Sequence, residues 1–164
     1  MHRSLRKDIV LAALAGFLVA IFFLGVANNI KISVPYPWTI LILFPILSAF
    51  GIIIVSVAAR AAPALLQAAK FLLIGALNTF IDLGILNVLI AVSGISSGLA
   101  YSAFKGISFL AAVINSYVWN KYWTFSRQEA GKTSWQEFLQ FFVVSGLGFA
   151  INVGTASFAV NVIG

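Results

Sequence analysis

The sequence predicts an all-α integral membrane protein, a bundle of five transmembrane helices. Three observations carry that prediction. Of 164 residues, 62% are hydrophobic and only 9% charged, with a mean hydropathy of +1.06, whereas a soluble domain is about 45–50% apolar and about 25% charged. Apolar runs of the length that spans hydrocarbon, about 20 residues, recur along the chain. The basic residues fall mostly in the segments on one side of those runs. A soluble enzyme, a disordered tail and a nucleic-acid module are excluded together, and a net charge of +6 this thinly spread does not track phosphates. With no Cys and a single His, His2, no disulfide, zinc site or His-based triad is available. No metal, cofactor or nucleic-acid partner is expected.

The first helix is expected over about 9–28, where the run from Ile9 to Ala27 carries no charge. Arg3, Arg6 and Lys7 precede it, but the run exceeds the 7–15 residues of a signal-peptide core, so it reads as a retained helix. The second, about 38–59, follows the helix-breaking Pro35-Tyr36-Pro37-Trp38 and contains Pro45, which predicts a kink. The third, about 71–92, is interrupted only by Asp82, and Ser93 to Gly98 reads as a turn. The fourth covers about 101–122 and ends in an aromatic cluster, Trp119, Tyr122, Trp123 and Phe125, expected to form an interfacial belt. After the polar stretch Ser126–Glu137, a fifth helix is expected over about 138–160.

With the N-terminus in the cytoplasm, the inner segments hold Arg3, Arg6, Lys7, Arg60, Lys70, Lys121, Arg127 and Lys132, and the outer ones only Lys31 and Lys105. Lys70 and Arg60 read as topology anchors. The far end of helix five then lies outside, and either the chain ends there as a bare stub or a sixth helix follows. An internal repeat favours the second alternative. At an offset of 70, residues 70–87 lie on 140–157, with Phe71/Phe141, Leu77/Leu147, Ile81/Ile151 and Gly84/Gly154 identical and Asp82 opposite Asn152. The first copy is followed by a second helix; in the second copy that partner helix would lie beyond Gly164.

Asp82 sits near the middle of helix three, where a charge costs roughly 2.5–3.5 kcal/mol on insertion scales and is a functional candidate by default. Asn78 lies one turn earlier on the same face. On helix four, Lys105, Ser108, Ala112 and Asn115 follow helical spacing and form a polar or small stripe. Counted from the helix ends, Asn115 falls near the level of Asp82 and Lys105 near the outer interface. The plainer alternatives are that the asparagines are interhelical glue and that Lys105 snorkels outward. A cation near one face and a carboxylate at mid-depth suit an amphiphile with an anionic head and an apolar tail. No constellation for covalent or acid–base catalysis is present, so no enzyme is expected.

Two segments carry a resemblance. Gly75 to Asp82 reads Gly-x-x-Asn-Thr-x-x-Asp, and Asn120 to Phe125 reads Asn-Lys-Tyr-Trp-Thr-Phe. Together with residues 105–126 and 137–154, they resemble the GtrA-like family over about 70–164, with Lys121 where the family has Arg. The resemblance implies a small polytopic membrane protein of cell-surface polysaccharide synthesis that flips a polyprenyl-phosphate-linked sugar, typically on undecaprenyl phosphate, across the cytoplasmic membrane. It also implies an alternative, a non-catalytic subunit that anchors a polyprenyl-phosphate glycosyltransferase, as a related eukaryotic protein does for dolichol-phosphate mannose synthase. A small multidrug-type exporter with one buried carboxylate is a third alternative. Residues 1–62 form an N-terminal hairpin outside the family unit, with no polar site expected in it. Residues 63–164 form the family domain without its last helix. The substrate-binding residues carried over are Asn78, Asp82, Lys105, Ser108, Asn115, Asn120, Lys121 and Trp123. Lys105 is assigned to the phosphate from the outer side, Asp82 with Asn78 and Asn115 to sugar hydroxyls or to gating the seam, and the last three to the headgroup at the cytoplasmic face. The expected partners are the lipid-linked sugar, membrane lipid, the glycosyltransferase of the alternative reading, and further copies of the chain.

Overall fold

The computed structural model describes residues 2–62, 64–125 and 153–163. Four long helices follow one another: α1 (His2–Asn29), α2 (Pro37–Ala58), α3 (Ala64–Ser93) and α4 (Gly98–Trp119). Each is long and apolar enough to cross a membrane. The backbone of α4 continues as a π-helical turn, Asn120–Thr124, in which the Phe125 N–H donates to the Asn120 carbonyl at 2.9 Å. A shorter apolar helix, Val153–Val162, is described from its first residue shown, and no strand occurs among the described residues. The expected fifth helix lies outside the described residues from 138 to 152, and with it Asn152 and most of the repeat's second copy.

The observed helices depart from the apolar runs in an informative way. α3 starts seven residues before the expected boundary, because Gln67 and Lys70 end the apolar run without ending the helix. At 1.5 Å per residue its 30 residues extend about 45 Å, past the roughly 30 Å of hydrocarbon. α2 runs through Pro45 as one helix. The turn between α3 and α4 is bounded by Gly94 (φ 72°) and Gly98 (φ 77°), left-handed conformations that a residue with a Cβ adopts only at a cost.

α3 is the central element, packing on α1, α4 and α2. Ala12, Ala15 and Val19 of α1 share one core with Ile74, Leu77 and Ile81 of α3, Ala112 of α4 and Trp123. The N-terminal hairpin is therefore continuous with the rest of the bundle. α2 buries only Ile52 and turns Ile42, Ile46, Phe50 and Ile54 outward, the all-round apolar surface of a lipid-facing helix.

Close helix approach takes the place of hydrophobic driving force inside a membrane. A Cβ on Gly16 would stand 2.6 Å from the Phe44 carbonyl oxygen and 2.5 Å from Ser48 Oγ, so α1 and α2 touch backbone to backbone there. Gly16→Val is expected to destabilise the bundle by about 1–3 kcal/mol, the usual range for overpacking. Gly25, with nothing within 4 Å of a built Cβ, accepts Ala without loss. Equilibrium unfolding in mixed micelles of the two variants checks this contrast.

Candidate functional site

Both ion pairs among the described residues are buried, and each joins two helices. In the first, Lys105 on α4 binds Asp82 Oδ2 on α3. The other carboxylate oxygen, Oδ1, accepts from the Ser108 hydroxyl at 2.5 Å. Asp82, Lys105 and Ser108 are 8%, 6% and 0% exposed. About a turn nearer the start of α3, the Asn115 amide donates to Asn78 Oδ1 at 2.7 Å, and Trp119 Nε1 donates to Asn115 Oδ1 at 3.1 Å.

The hairpin geometry explains this pairing. α3 and α4 fold back about the turn near Ile95, and Asp82 and Ser108 lie equally far from it along the chain. Lys105 therefore stands close to the carboxylate and reaches inward to it. The expected placement of Lys105 at the outer interface, and of Asn115 level with Asp82, came from counting each helix from its own ends. The turn sets the register instead, putting Lys105 and Ser108 opposite Asp82 and Asn115 opposite Asn78. Of the eight candidate residues, Asn78, Asp82, Lys105, Ser108 and Asn115 thus form one seam along the α3–α4 contact.

Beside the seam lies a cleft of about 190 Å³, lined by Asn78, Thr79 and Asp82 from α3 and by Phe109, Ala112, Val113 and Ser116 from α4. It has room for several waters or a small polar group. Its α3 side is polar throughout, and its α4 side is apolar, with one aromatic ring, except for Ser116. Thr79, Phe109 and Ser116 are additions that sequence reasoning missed, although their spacing gave the signal: Thr79 lies three residues before Asp82, Phe109 four after Lys105 and Ser116 four after Ala112, on the same helical stripe.

Asn120, Lys121 and Trp123 are set apart from this seam, in the π turn at the far end of α4. Trp123 is 2% exposed, and its Nε1 donates to Asp8 Oδ1 at 2.9 Å. Lys70 Nζ donates to the same oxygen at 2.6 Å and stands 5.4 Å from the centre of the Trp123 ring. Lys121 bends back to the Tyr117 hydroxyl at 3.1 Å. Three expectations change here. Lys70 is the buried partner of a carboxylate, and not an anchor among lipid headgroups. Trp123 is packed inside the protein, so of the expected aromatic belt it is Tyr122 and Phe125 that face outward. The N-terminal hairpin does contribute a polar group, Asp8, which escaped notice because it sits just before the uncharged run, among basic residues. The signal available was an acid on the membrane side of Arg3, Arg6 and Lys7, where a lone carboxylate needs a partner.

The motif that carries the polar seam and the motif that ends α4 both fall inside one family match. The GtrA/DPMS transmembrane domain matches residues 70–164, and the chain belongs to that family. It is therefore a polytopic membrane protein of GtrA-like type. It is similar to the uncharacterized membrane protein YngA of Bacillus subtilis (strain 168), with 31% identity over 86 residues, covering 50% of this chain and 53% of that one. The chain thus spans about half the length of the curated relative it matches. No solved structure matches it.

Removing one member of a buried ion pair leaves an uncompensated charge, at a cost of about 3–5 kcal/mol. Asp82→Leu and Lys105→Met are each expected to destabilise the bundle by an amount of that order, and the double variant by much less than either single one. A double-mutant cycle on unfolding free energies measures this coupling.

Proposed function

We propose that this protein moves a polyprenyl-phosphate-linked sugar across the cytoplasmic membrane for the synthesis of cell-surface polysaccharide or glycan, with its N-terminus in the cytoplasm. The observation that supports this most is the cleft beside the Asp82–Lys105 pair, a recess with hydrogen-bonding groups between two helices long and apolar enough to cross a membrane. Membership in the GtrA/DPMS family supports it at the level of substrate class.

The chemistry follows from charge balance. A lipid-linked sugar brings a phosphate, whose charge is costly in hydrocarbon, and hydroxyls that need partners there. Lys105 supplies the countercharge, exchanging Asp82 for a phosphate oxygen. Asn78, Asn115, Thr79 and Ser116 offer donors and acceptors to the sugar, and Phe109 an apolar face. The polyprenyl tail never leaves the lipid, so an open flank suffices and no sealed pore is required. No bond is made or broken, and no enzymatic role is proposed.

The anchoring alternative has one observation in its favour. Both oxygens of Asp82 already have partners, as a purely structural tie between α3 and α4 would require. A multidrug-type exporter is supported less, because such a carrier needs a carboxylate free to exchange a proton for a cationic drug.

The Asp82→Leu/Lys105→Met protein, in which no charge is left unpaired, separates function from folding. In liposomes containing a fluorescent polyprenyl-phosphate glucose, the wild type is expected to equilibrate the lipid between leaflets, and the double variant to match empty vesicles. Equal transport by both would overturn the site. A wild type that does not flip, but co-purifies with a glycosyltransferase whose level falls on deletion, would replace the carrier with the anchor.

A further inference from the structure

Asp8, Lys70 and Trp123 form a second polar centre that plays no part in the proposed carrier step. Two donors from different elements, the Lys70 ammonium on α3 and the Trp123 indole N–H in the π turn, converge on one oxygen, Asp8 Oδ1. The three residues are 7%, 2% and 5% exposed, so this is a built site inside the protein. Both donors lie within the family match at 70–164, and the acceptor comes from the N-terminal hairpin outside it. From the standpoint of residues 70–125, Asp8 is an anion delivered from elsewhere.

We infer that Lys70 and Trp123 form an anion cradle for a phosphate oxygen, and that Asp8 is its built-in occupant, holding the site closed until a phosphate displaces it. A carboxylate and a phosphate make the same demand on such a cradle, namely short charge-assisted bonds from an ammonium and an N–H. A phosphate also carries more oxygens than a carboxylate, and the same turn holds further buried polar groups with hydrogen-bonding capacity to spare. Thr124 Oγ1 and Asn120 Oδ1 are buried without a hydrogen-bond partner among the described residues. The Thr124 hydroxyl is a ready donor, and the Asn120 amide, turned end for end, offers an N–H while keeping Ser116 as its partner. Buried polar groups left unsatisfied carry a desolvation cost, which biases the turn toward a state that satisfies them. A π turn is also a frequent mark of a functional position in a helix. Asp8 competes as an intramolecular ligand, so the wild type takes up an external phosphate weakly until its own carboxylate lets go.

The test is binding, independent of transport, so it stands or falls apart from the carrier proposal. Purified full-length protein in maltoside micelles is titrated with inorganic phosphate, with sodium chloride at matched ionic strength as control. Tryptophan emission and the unfolding temperature are followed together. Asp8→Ala is expected to give a saturable phosphate response, and Asp8→Ala/Lys70→Met none. The wild type should respond about tenfold or more weakly than Asp8→Ala, the change that goes with displacing one charge-assisted bond. If Asp8→Ala folds poorly, recovery of its fold by phosphate supports the cradle, and the milder Asp8→Asn is titrated in the same way. In a parallel arm, micelles doped with phosphatidic acid distinguish a lipid headgroup from free phosphate as the source, and a Lys70-dependent response to either supports the site. A response that chloride reproduces, that survives Lys70→Met, or that is absent from both Asp8 variants overturns it and leaves Asp8 as a structural tether.

Discussion

Two carboxylates that reach across to lysines on neighbouring helices hold the polar interior of this bundle together. In hydrocarbon there is no water to take up an unpaired charge, so each buried ion fixes where its partner must be. Asp82 and Lys105 set the register of α3 against α4, and Asp8 and Lys70 tie α1 to α3. Apolar packing alone leaves helices free to slide, since lipid tails solvate a leucine as well as another helix does. The ion pairs and the close contact at Gly16 remove that freedom.

The same pairing shapes what the protein can do. Each described site is neutral as it stands, with its charges spent on one another. In the proposed carrier step, a ligand bearing a phosphate takes over a lysine and leaves a carboxylate to be satisfied by Ser108, by water or by its own hydroxyls. Exchange of this kind adds the phosphate's negative charge to the seam, so the displaced carboxylate depends on those hydrogen-bond donors in place of its cation. The family relationship and the cleft beside Asp82 are what support the proposed substrate class.

Much of this was legible in the sequence, because membranes impose simple rules. Four helices followed from runs of apolar residues, and the seam followed from Asp82 and the helical spacing of Lys105, Ser108 and Asn115. What spacing within a helix does not give is the register between helices. That was in the turn: counting outward from Ile95 puts Ser108 opposite Asp82, whereas counting from the helix ends puts Asn115 there. Asp8 and Lys70 were harder. Each sits where an apolar run meets a polar flank, and there a charge reads equally well as an anchor among headgroups or as half of a buried pair. Only the packing of α1 on α3 decides between them. The burial of Trp123 follows from the same packing, since its indole needed the Asp8 carboxylate to leave the interface.

The central claim is that the seam on α3 and α4 faces a hydrated recess and not lipid. The chain contains no cysteine, so single cysteines at Thr79 and Ser116 can be probed in intact cells without background, beside one at the outward-facing Leu110. Modification of the first two by a charged, membrane-impermeant thiol reagent, with Leu110→Cys left unmodified, is the predicted result. Thr79→Cys and Ser116→Cys as inert as Leu110→Cys would contradict the account.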